Sequence, residues 1–211
     1  MTLENVLPAS MVVLLVIGFA AQASGQDRMP AIAADKMTEA QRRAIAEFKE
    51  ARGADISGPF VPLLRSPEVM NRARAMGDYL RFRSVFPPRL SEFVILLTAR
   101  SWTQQYEWDA HYQLAIKAGV TAETGKAIAE GRRPRPMTEE EEILYDFCDE
   151  LGRNQSVSDP TYARMVAKFG EQGVIDAAGI IGYYTMLSMV MNTARTPLPA
   201  GATPALAPLP R

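Results

Sequence analysis

Residues 38 to 194 are divided into helix-length segments by capping residues, prolines and glycines. Thr38 with Gln41, and Thr138 with Glu141, have the spacing of capping boxes, in which side chain and backbone satisfy each other's hydrogen bonds at a helix start. Gly53 is placed to end the first of these helices. No alternating β-branched run bounded by hairpin turns occurs in the sequence. The pattern therefore predicts an all-α fold.

Further start and stop signals place the other helices. The segment after Pro87-Pro88, "RLSEFVILLTARSW", is apolar almost all round, which predicts a helix buried on most faces. The remaining predicted helices start at Ser66-Pro67-Glu68, cover roughly 104 to 118 before Gly119, lie between Thr121 and Gly131, and run from Asp159-Pro160 to near Gly170.

The final helical segment, "VIDAAGIIGYYTMLSMVMNTA", has the length of a membrane span. However, it contains Asp176, Asn192, two tyrosines and three hydroxyl residues, and no basic flank follows a positive-inside pattern. We therefore expect the central helix of a bundle and no stable membrane span.

The two ends of the chain differ in character from its middle. Val6 to Ala21 is an apolar run with the length of a secretory core, and Ala21-Gln22-Ala23 would be cut before Ser24, so residues 1–30 are predicted to be a signal peptide and leader. The mature protein would then be periplasmic or secreted. Glu4 is the only charged residue before the run, where Lys or Arg is usual. An uncleaved anchor, or a start codon assigned too early in a cytoplasmic protein, therefore stays open.

Residues 31–196 have the length of one globular domain, in a chain of 211 residues that is 47% hydrophobic. The five prolines of "TPLPAGATPALAPLPR" predict an extended or disordered tail over 197–211. A net charge of −1 provides no field that would attract nucleic acid. The single cysteine excludes an intrachain disulfide, a CxxC pair and a cysteine-rich zinc site.

The only histidine, His111, lies in "QQYEWDAHY", within the helix predicted over 104–118. At about 100° per residue, the inward sector of that helix contains Gln104, Glu107, His111, Leu114, Ala115 and Ala118. The opposite side has the composition of a solvated face, with Asp109, Gln113 and Lys117. Three polar side chains are therefore predicted to face the protein interior.

Glu107 and His111 are four residues apart and can touch on a helix. A lone buried charge costs several kcal/mol, so each needs the other as a partner. Such a pair can share a proton near neutral pH and suits acid/base catalysis; a histidine tied down for structure is the open alternative. Glu92 is either exposed near its helix start, where the helix dipole favours an acid, or buried as a third member.

Glu92, positions 104 and 107, and His111 reproduce a known signature: a glutamate, eleven residues, a CxxC pair, three residues and a histidine. On these residues, and on "GPFVPLLRSPEV", "YEWDAHYQLAIKAGV" and "GYYTMLSMVMNTARTPLP", the chain resembles the thiol-free members of the carboxymuconolactone decarboxylase and alkylhydroperoxidase D-like family. The resemblance covers residues 38 to 199 and is most specific over 90 to 119. It implies a helical bundle that associates as a homodimer, trimer or hexamer, with a site lined by two helices and often by a neighbouring subunit.

Gln104 and Glu107 occupy the places of the two cysteines in the family's peroxidase branch. Thiol peroxidases need one thiolate to attack the peroxide and a second thiol to resolve the product. Cys148 lies on an apolar helix stripe with Leu144 and Leu151, which is typical of a small core residue. Peroxidase activity, the alternative that the family implies, therefore lacks its thiols here.

The residues predict a proton-transfer enzyme, a carboxy-lyase or isomerase acting on a small lactone or unsaturated carboxylated compound. His111 is the predicted acid/base, Glu107 its polariser or second acid/base, and Glu92 the group that orients the pair. Gln104 is predicted to stabilise a developing oxyanion, and Arg100 to anchor a substrate carboxylate by residue type alone.

Other functions stay open at the level of sequence. A metal ion on Glu92, Glu107 and His111 would have one histidine with carboxylates, which is unusual for catalytic zinc, so no metal and no other cofactor is predicted. A Ser-His-Asp hydrolase would have to use His111, and no GxSxG motif is present. An exported, non-catalytic helical oligomer that binds a small ligand is the remaining alternative.

Overall fold

The computed structural model describes residues 26–208. After a short 3-10 helix at Ala34–Lys36 it contains α1 (Glu39–Arg52), α2 (Phe60–Leu63), α3 (Pro67–Phe82), α4 (Pro88–Ser101), α5 (Gln105–Ala118), α6 (Ala122–Ala129), α7 (Glu139–Asn154) and α8 (Asp159–Ala194). No strand occurs in this part of the chain, and the prediction of an all-α fold is confirmed.

Both predicted capping boxes are present, each with the side chain and the backbone bonded reciprocally. Gly53 and Gly119 end α1 and α5 in the left-handed region, with φ of 65° and 103°, where a residue with a Cβ would be strained. Ser66 precedes α3 as predicted, but its side chain makes no capping hydrogen bond.

The two helices predicted on either side of Gly170 form one continuous element, α8, with a kink at that glycine. Gly170 has φ 69° and ψ 174°, a conformation that essentially only glycine adopts, so the break follows directly from the residue type. Within the described residues α8 is long and apolar enough, by length and composition, to cross a membrane. It packs against α3, α4 and α7, and buries Tyr184, Leu187 and Met191 among them.

Helix α4 lies at the centre and packs against α3, α5, α6, α7 and α8. Four consecutive residues, Phe93 to Leu96, are fully buried, which confirms that this helix is enclosed on most faces. Each buried apolar side chain of this size contributes about 1.5–3 kcal/mol relative to exposure. The polar residues that α4 carries inward are therefore held in a rigid, largely dry setting.

The predicted signal peptide and its cleavage site lie outside the described residues. The described end of the predicted leader contacts the bundle, because the Arg28 backbone N–H donates to the Ala194 carbonyl at the end of α8 over 2.8 Å.

The described part of the C-terminal tail has the extended form, one of the two forms that its prolines predict. It is free of helix and strand, but it docks along α4 and α5. The Gln105 side chain accepts from the N–H groups of Ala205 and Leu206 at 3.0 Å each and donates to the Leu206 carbonyl at 2.6 Å. Leu206 is 4% exposed and packs on the core. Prolines prevent helix and strand in the tail, but the backbone N–H and C=O groups of its other residues can still hydrogen-bond to side chains of the bundle.

Candidate active site

Helices α4 and α5 are joined by a tight connection in which Gln104 caps α5. Its Oε1 accepts from the backbone N–H groups of Tyr106, at 2.6 Å, and Glu107, at 3.3 Å. Its Nε2 donates to Asn192 Oδ1 on α8 at 2.9 Å. Gln104 therefore fixes where α5 begins and how it sits against α8. The predicted oxyanion role stays a prediction, and the structure gives this side chain a positioning role.

Glu92, Glu107 and His111 form a buried trio between α4 and α5. The imidazole Nδ1 lies 2.6 Å from Glu92 Oε2, and Nε2 lies 3.4 Å from Glu107 Oε2. The three residues are 7%, 3% and 5% exposed. Of the two positions that the sequence left open for Glu92, the structure shows the inward one. The single histidine is therefore held between two carboxyl groups.

Arg81, at the end of α3, lies 3.7 Å from Glu92 Oε1. Its guanidinium supplies a positive charge next to a pair of acids that share one imidazole. Glu92 is thus flanked by Arg81 on one oxygen and by His111 on the other. A carboxylate bonded to Nδ1 directs the Nδ1 proton toward itself and leaves Nε2 facing Glu107.

Burial raises the pKa of the Glu107 carboxyl, and the attraction of His111 and Arg81 opposes that shift only in part. The nearby negative charge of Glu92 adds to the increase. Within residues 26–208 no hydrogen bond to the Glu107 carboxyl is formed apart from its approach to His111. Glu107 therefore keeps its carboxylic acid form to higher pH than an ordinary glutamate does, which gives the trio a proton to deliver.

Tyr184 of α8 sets the orientation of the imidazole. The two rings meet edge to face, with centroids 5.1 Å apart and planes at 86°. Tyr184 meets Tyr183 in the same way, also at 5.1 Å. Burial raises the pKa of Tyr184 well above its usual value, so its hydroxyl stays protonated. The His111 ring is thereby held by packing as well as by its two acids.

A cleft of about 800 Å³ lies between α1, the segment after it, and α3; none of the three trio residues lines it, and Arg81 connects it to the trio. Its charged lining residues are Arg52, Arg74, Arg81, Arg83, Asp55 and Asp78. Asp78 pairs with Arg52 and Arg74, at 2.8 and 3.0 Å. Arg81 belongs to both the cleft wall and the trio. A group bound in the cleft would therefore meet the Arg81 charge that also contacts Glu92.

The structure does not bring Arg100 to the trio. Arg100 lies eight residues, or about two turns, beyond Glu92 on α4 and donates to the Ala207 carbonyl at 2.7 Å. It lines a different cleft, whose walls include none of the three trio residues. Its predicted contact with a substrate at the trio is therefore not supported by its position.

The predicted inward sector of α5 is wrong at one edge. Leu114 is 41% exposed, whereas Trp108, which lies outside the predicted inward sector, is buried. The prediction counted Gln104 as the first helical residue, but it is the N-cap and has an extended backbone. The buried face of α5 is therefore centred on His111 and includes Trp108 in place of Leu114. The inward positions of Glu107, His111 and Ala115 are as predicted.

Sequence reasoning missed Arg81 and Tyr184. Two buried acids beside one imidazole call for a second cation, so a partner could have been expected. Which arginine lies next to the two acids depends on how α3 packs against α4, and the helical pattern of α3 alone does not predict that packing.

No cluster of three or more His, Cys, Asp or Glu residues is arranged to hold a metal ion among residues 26–208. Both His111 ring nitrogens already face carboxyl oxygens. Cys148 lies on α7 in the wall of the second cleft, and burial raises the pKa of its thiol to about 12.

Residues 67–141 match the sequence model of the carboxymuconolactone decarboxylase family. This segment runs from the start of α3 to the first turn of α7 and contains the trio and Arg81. A search of curated proteins gives no significant match.

Two solved structures are similar in fold. One, from Ralstonia eutropha, is the AhpD core of an uncharacterised peroxidase-related protein, with 15% identity, a TM-score of 0.66, and coverage of 82% of this chain and 92% of that one. The other, from Agrobacterium tumefaciens, is a protein of unknown function whose name links it to AhpD and antioxidant defence, with 16% identity, a TM-score of 0.58, and coverage of 65% and 95%. At these identities the likeness shows the shared fold.

Proposed function

We propose that this chain, whose residues 67–141 match the model of the carboxymuconolactone decarboxylase family, is a proton-transfer enzyme, a lyase or isomerase acting on a small lactone or unsaturated compound that carries a carboxylate. The observation that carries the proposal is His111, held between the buried carboxyl groups of Glu92 and Glu107.

Each member of the trio takes a role that follows from its contacts. Glu92 is a positioning residue: it accepts a hydrogen bond from the Nδ1–H of His111 and fixes the imidazole. Glu107, kept protonated by its burial, is the acid, and Nε2 of His111 accepts or returns the proton that Glu107 exchanges. In a decarboxylation, the electrons of the broken C–C bond move into the conjugated carbonyl as CO2 leaves, and the Glu107 proton then goes to the ring carbon.

The arginine-lined cleft supports the choice of substrate class. Arg81 has a buried Nε without a partner in residues 26–208, and so does Arg74. Unpaired guanidinium N–H groups favour an anionic ligand, and Arg matches a carboxylate in geometry. The proposal places the substrate carboxylate at Arg81, so that the bound molecule lies next to the trio.

The test is turnover of carboxylated unsaturated lactones, followed by CO2 release and by ultraviolet absorbance, with matched variants. Glu107→Gln and His111→Asn are each expected to lower kcat by about 10²- to 10⁴-fold, the usual contribution of a general acid or base. Asp109→Asn, on the exposed side of the same helix, is the control and is expected to leave kcat unchanged. Full activity in His111→Asn would overturn the proposal.

Peroxidase activity is the second candidate, since one structural relative is peroxidase-related by name and the other is linked to antioxidant defence. Cys148 is the only thiol, and with a pKa of about 12 it carries little thiolate at neutral pH. Hydroperoxide consumption that is lost in Cys148→Ser would favour this candidate over proton transfer. If no assayed activity responded to substitution of the trio, the remaining alternative, a non-catalytic ligand-binding protein, would gain.

A further inference from the structure

A second cleft of about 620 Å³ lies between α4, α6, α7 and α8, and none of the trio residues lines it. Its apolar walls include Leu97, Ile128, Tyr145, Leu151 and Ile181. A volume between about 300 and 1,000 Å³ with mainly apolar walls is typical of a small-molecule site. The proposed proton-transfer function makes no use of this cleft.

Arg100 is the charged group that distinguishes the cleft. The residue is only 5% exposed, and its Nη1 donates to a backbone carbonyl, that of Ala207. Its Nε is buried and has no partner within residues 26–208, and no carboxylate there lies within ion-pair distance of it. Burial lowers the pKa of this guanidinium.

The other charges in the cleft wall are already neutralised. Asp149 pairs with Arg153 at 2.8 Å, and Arg132 pairs with Glu130. Arg100 therefore differs from its neighbours, since it is a buried cation without an acid among the described residues. A cation in that position is costly unless an anion reaches it, and a carboxylate can pair with the guanidinium, whose Nε has no partner among the described residues.

We propose that this cleft binds an amphipathic carboxylate, whose apolar chain lies against Leu97, Ile128 and Ile181 and whose carboxylate pairs with Arg100. The apolar walls stabilise the chain by burial, and the guanidinium selects the charged head over a neutral one. The site is separate from the trio and does not rest on the proposed proton-transfer function.

Calorimetric titration of the full chain with decanoate tests the proposal, with decanol as the neutral comparison. Decanoate is expected to bind at one site per chain, and decanol is expected to bind there with an affinity lower by about tenfold or more. Arg100→Gln is expected to weaken decanoate binding by about tenfold or more, because it removes a charge-assisted hydrogen bond. The matched control is Arg153→Gln, which removes an exposed, acid-paired arginine from the same cleft and is expected to leave binding unchanged.

Gly152 provides a second test that spares the buried arginine. It lies in the cleft wall, and a Cβ there meets nothing within 4 Å. Gly152→Trp is expected to fill the space and abolish decanoate binding, while Gly152→Ala retains it. Equal binding of decanoate and decanol, or undiminished binding in Arg100→Gln and Gly152→Trp, would overturn the proposal. Glu107→Gln is expected to bind decanoate as wild type does, so failure of the proton-transfer function would be seen separately.

Discussion

Replacing Glu107 by glutamine is expected to change how the stability of the protein depends on pH. The substitution keeps the shape of the side chain and removes its titration. In the folded chain, burial raises the pKa of Glu107 above its usual 4.5, whereas in the unfolded chain the carboxyl is in water. At pH values between the unfolded and the folded pKa of Glu107, unfolding releases a proton from this carboxyl. The stability that this group contributes is therefore fully present below about pH 4.5 and is lost as pH rises through the folded pKa.

The magnitude follows from the linkage between protons and stability. While the folded chain holds the Glu107 proton and the unfolded chain does not, the free energy of unfolding falls by up to about 1.4 kcal/mol per pH unit. For a chain of this size that corresponds to roughly 3–5 °C in Tm per pH unit.

The assay is urea unfolding followed by circular dichroism, at a series of pH values from acid to mildly alkaline, for wild type and Glu107→Gln. The variant is expected to lose less stability than wild type as pH rises, so the two curves diverge. Asp109→Asn, two residues further on the exposed side of α5, is expected to follow the wild-type slope. Parallel curves for wild type and Glu107→Gln would refute the claim that Glu107 is buried in its protonated form.

Two further predictions concern packing and the thiol. Gly77→Ala is expected to destabilise the protein by about 1–3 kcal/mol, because its Cβ would lie 2.3 Å from Tyr183 Oη. Thermal melts would show this against Gly182→Ala, where a Cβ meets nothing within 4 Å and up to about 1 kcal/mol of stabilisation is expected. Alkylation of Cys148 by iodoacetamide at pH 8 is expected to be slow in the folded chain and fast in urea, since a pKa of about 12 leaves little thiolate. Equal rates, measured by mass spectrometry, would contradict that burial.

The helices could be predicted because their signals are local. The capping boxes at Thr38 and Thr138 and the left-handed glycines act on backbone groups within a few residues, so the sequence states them directly. The break at Gly170 was predicted for the same reason, although the flanking helices continue as one element.

The extended form of the tail could be predicted from its prolines, but its docking could not, because docking depends on distant partners. Prolines exclude helix and strand from residue 197 onward, and the described backbone agrees. The docking of Leu206 depends on Gln105 and on a hydrophobic surface of the folded bundle. Contacts across about a hundred residues leave no local pattern in the sequence.

The sequence by itself determined that the chain is helical and that Glu107 and His111 share one inward face, because helix periodicity and an i, i+4 spacing depend only on chain geometry. It also placed Glu92 as a candidate partner without deciding its orientation. Only the tertiary structure decided that Glu92 reaches His111, that Arg81 completes the charge balance, and that Arg100 lines a separate cleft. These outcomes depend on how α3, α4, α5 and α8 pack, and packing is set by the summed shape of many side chains.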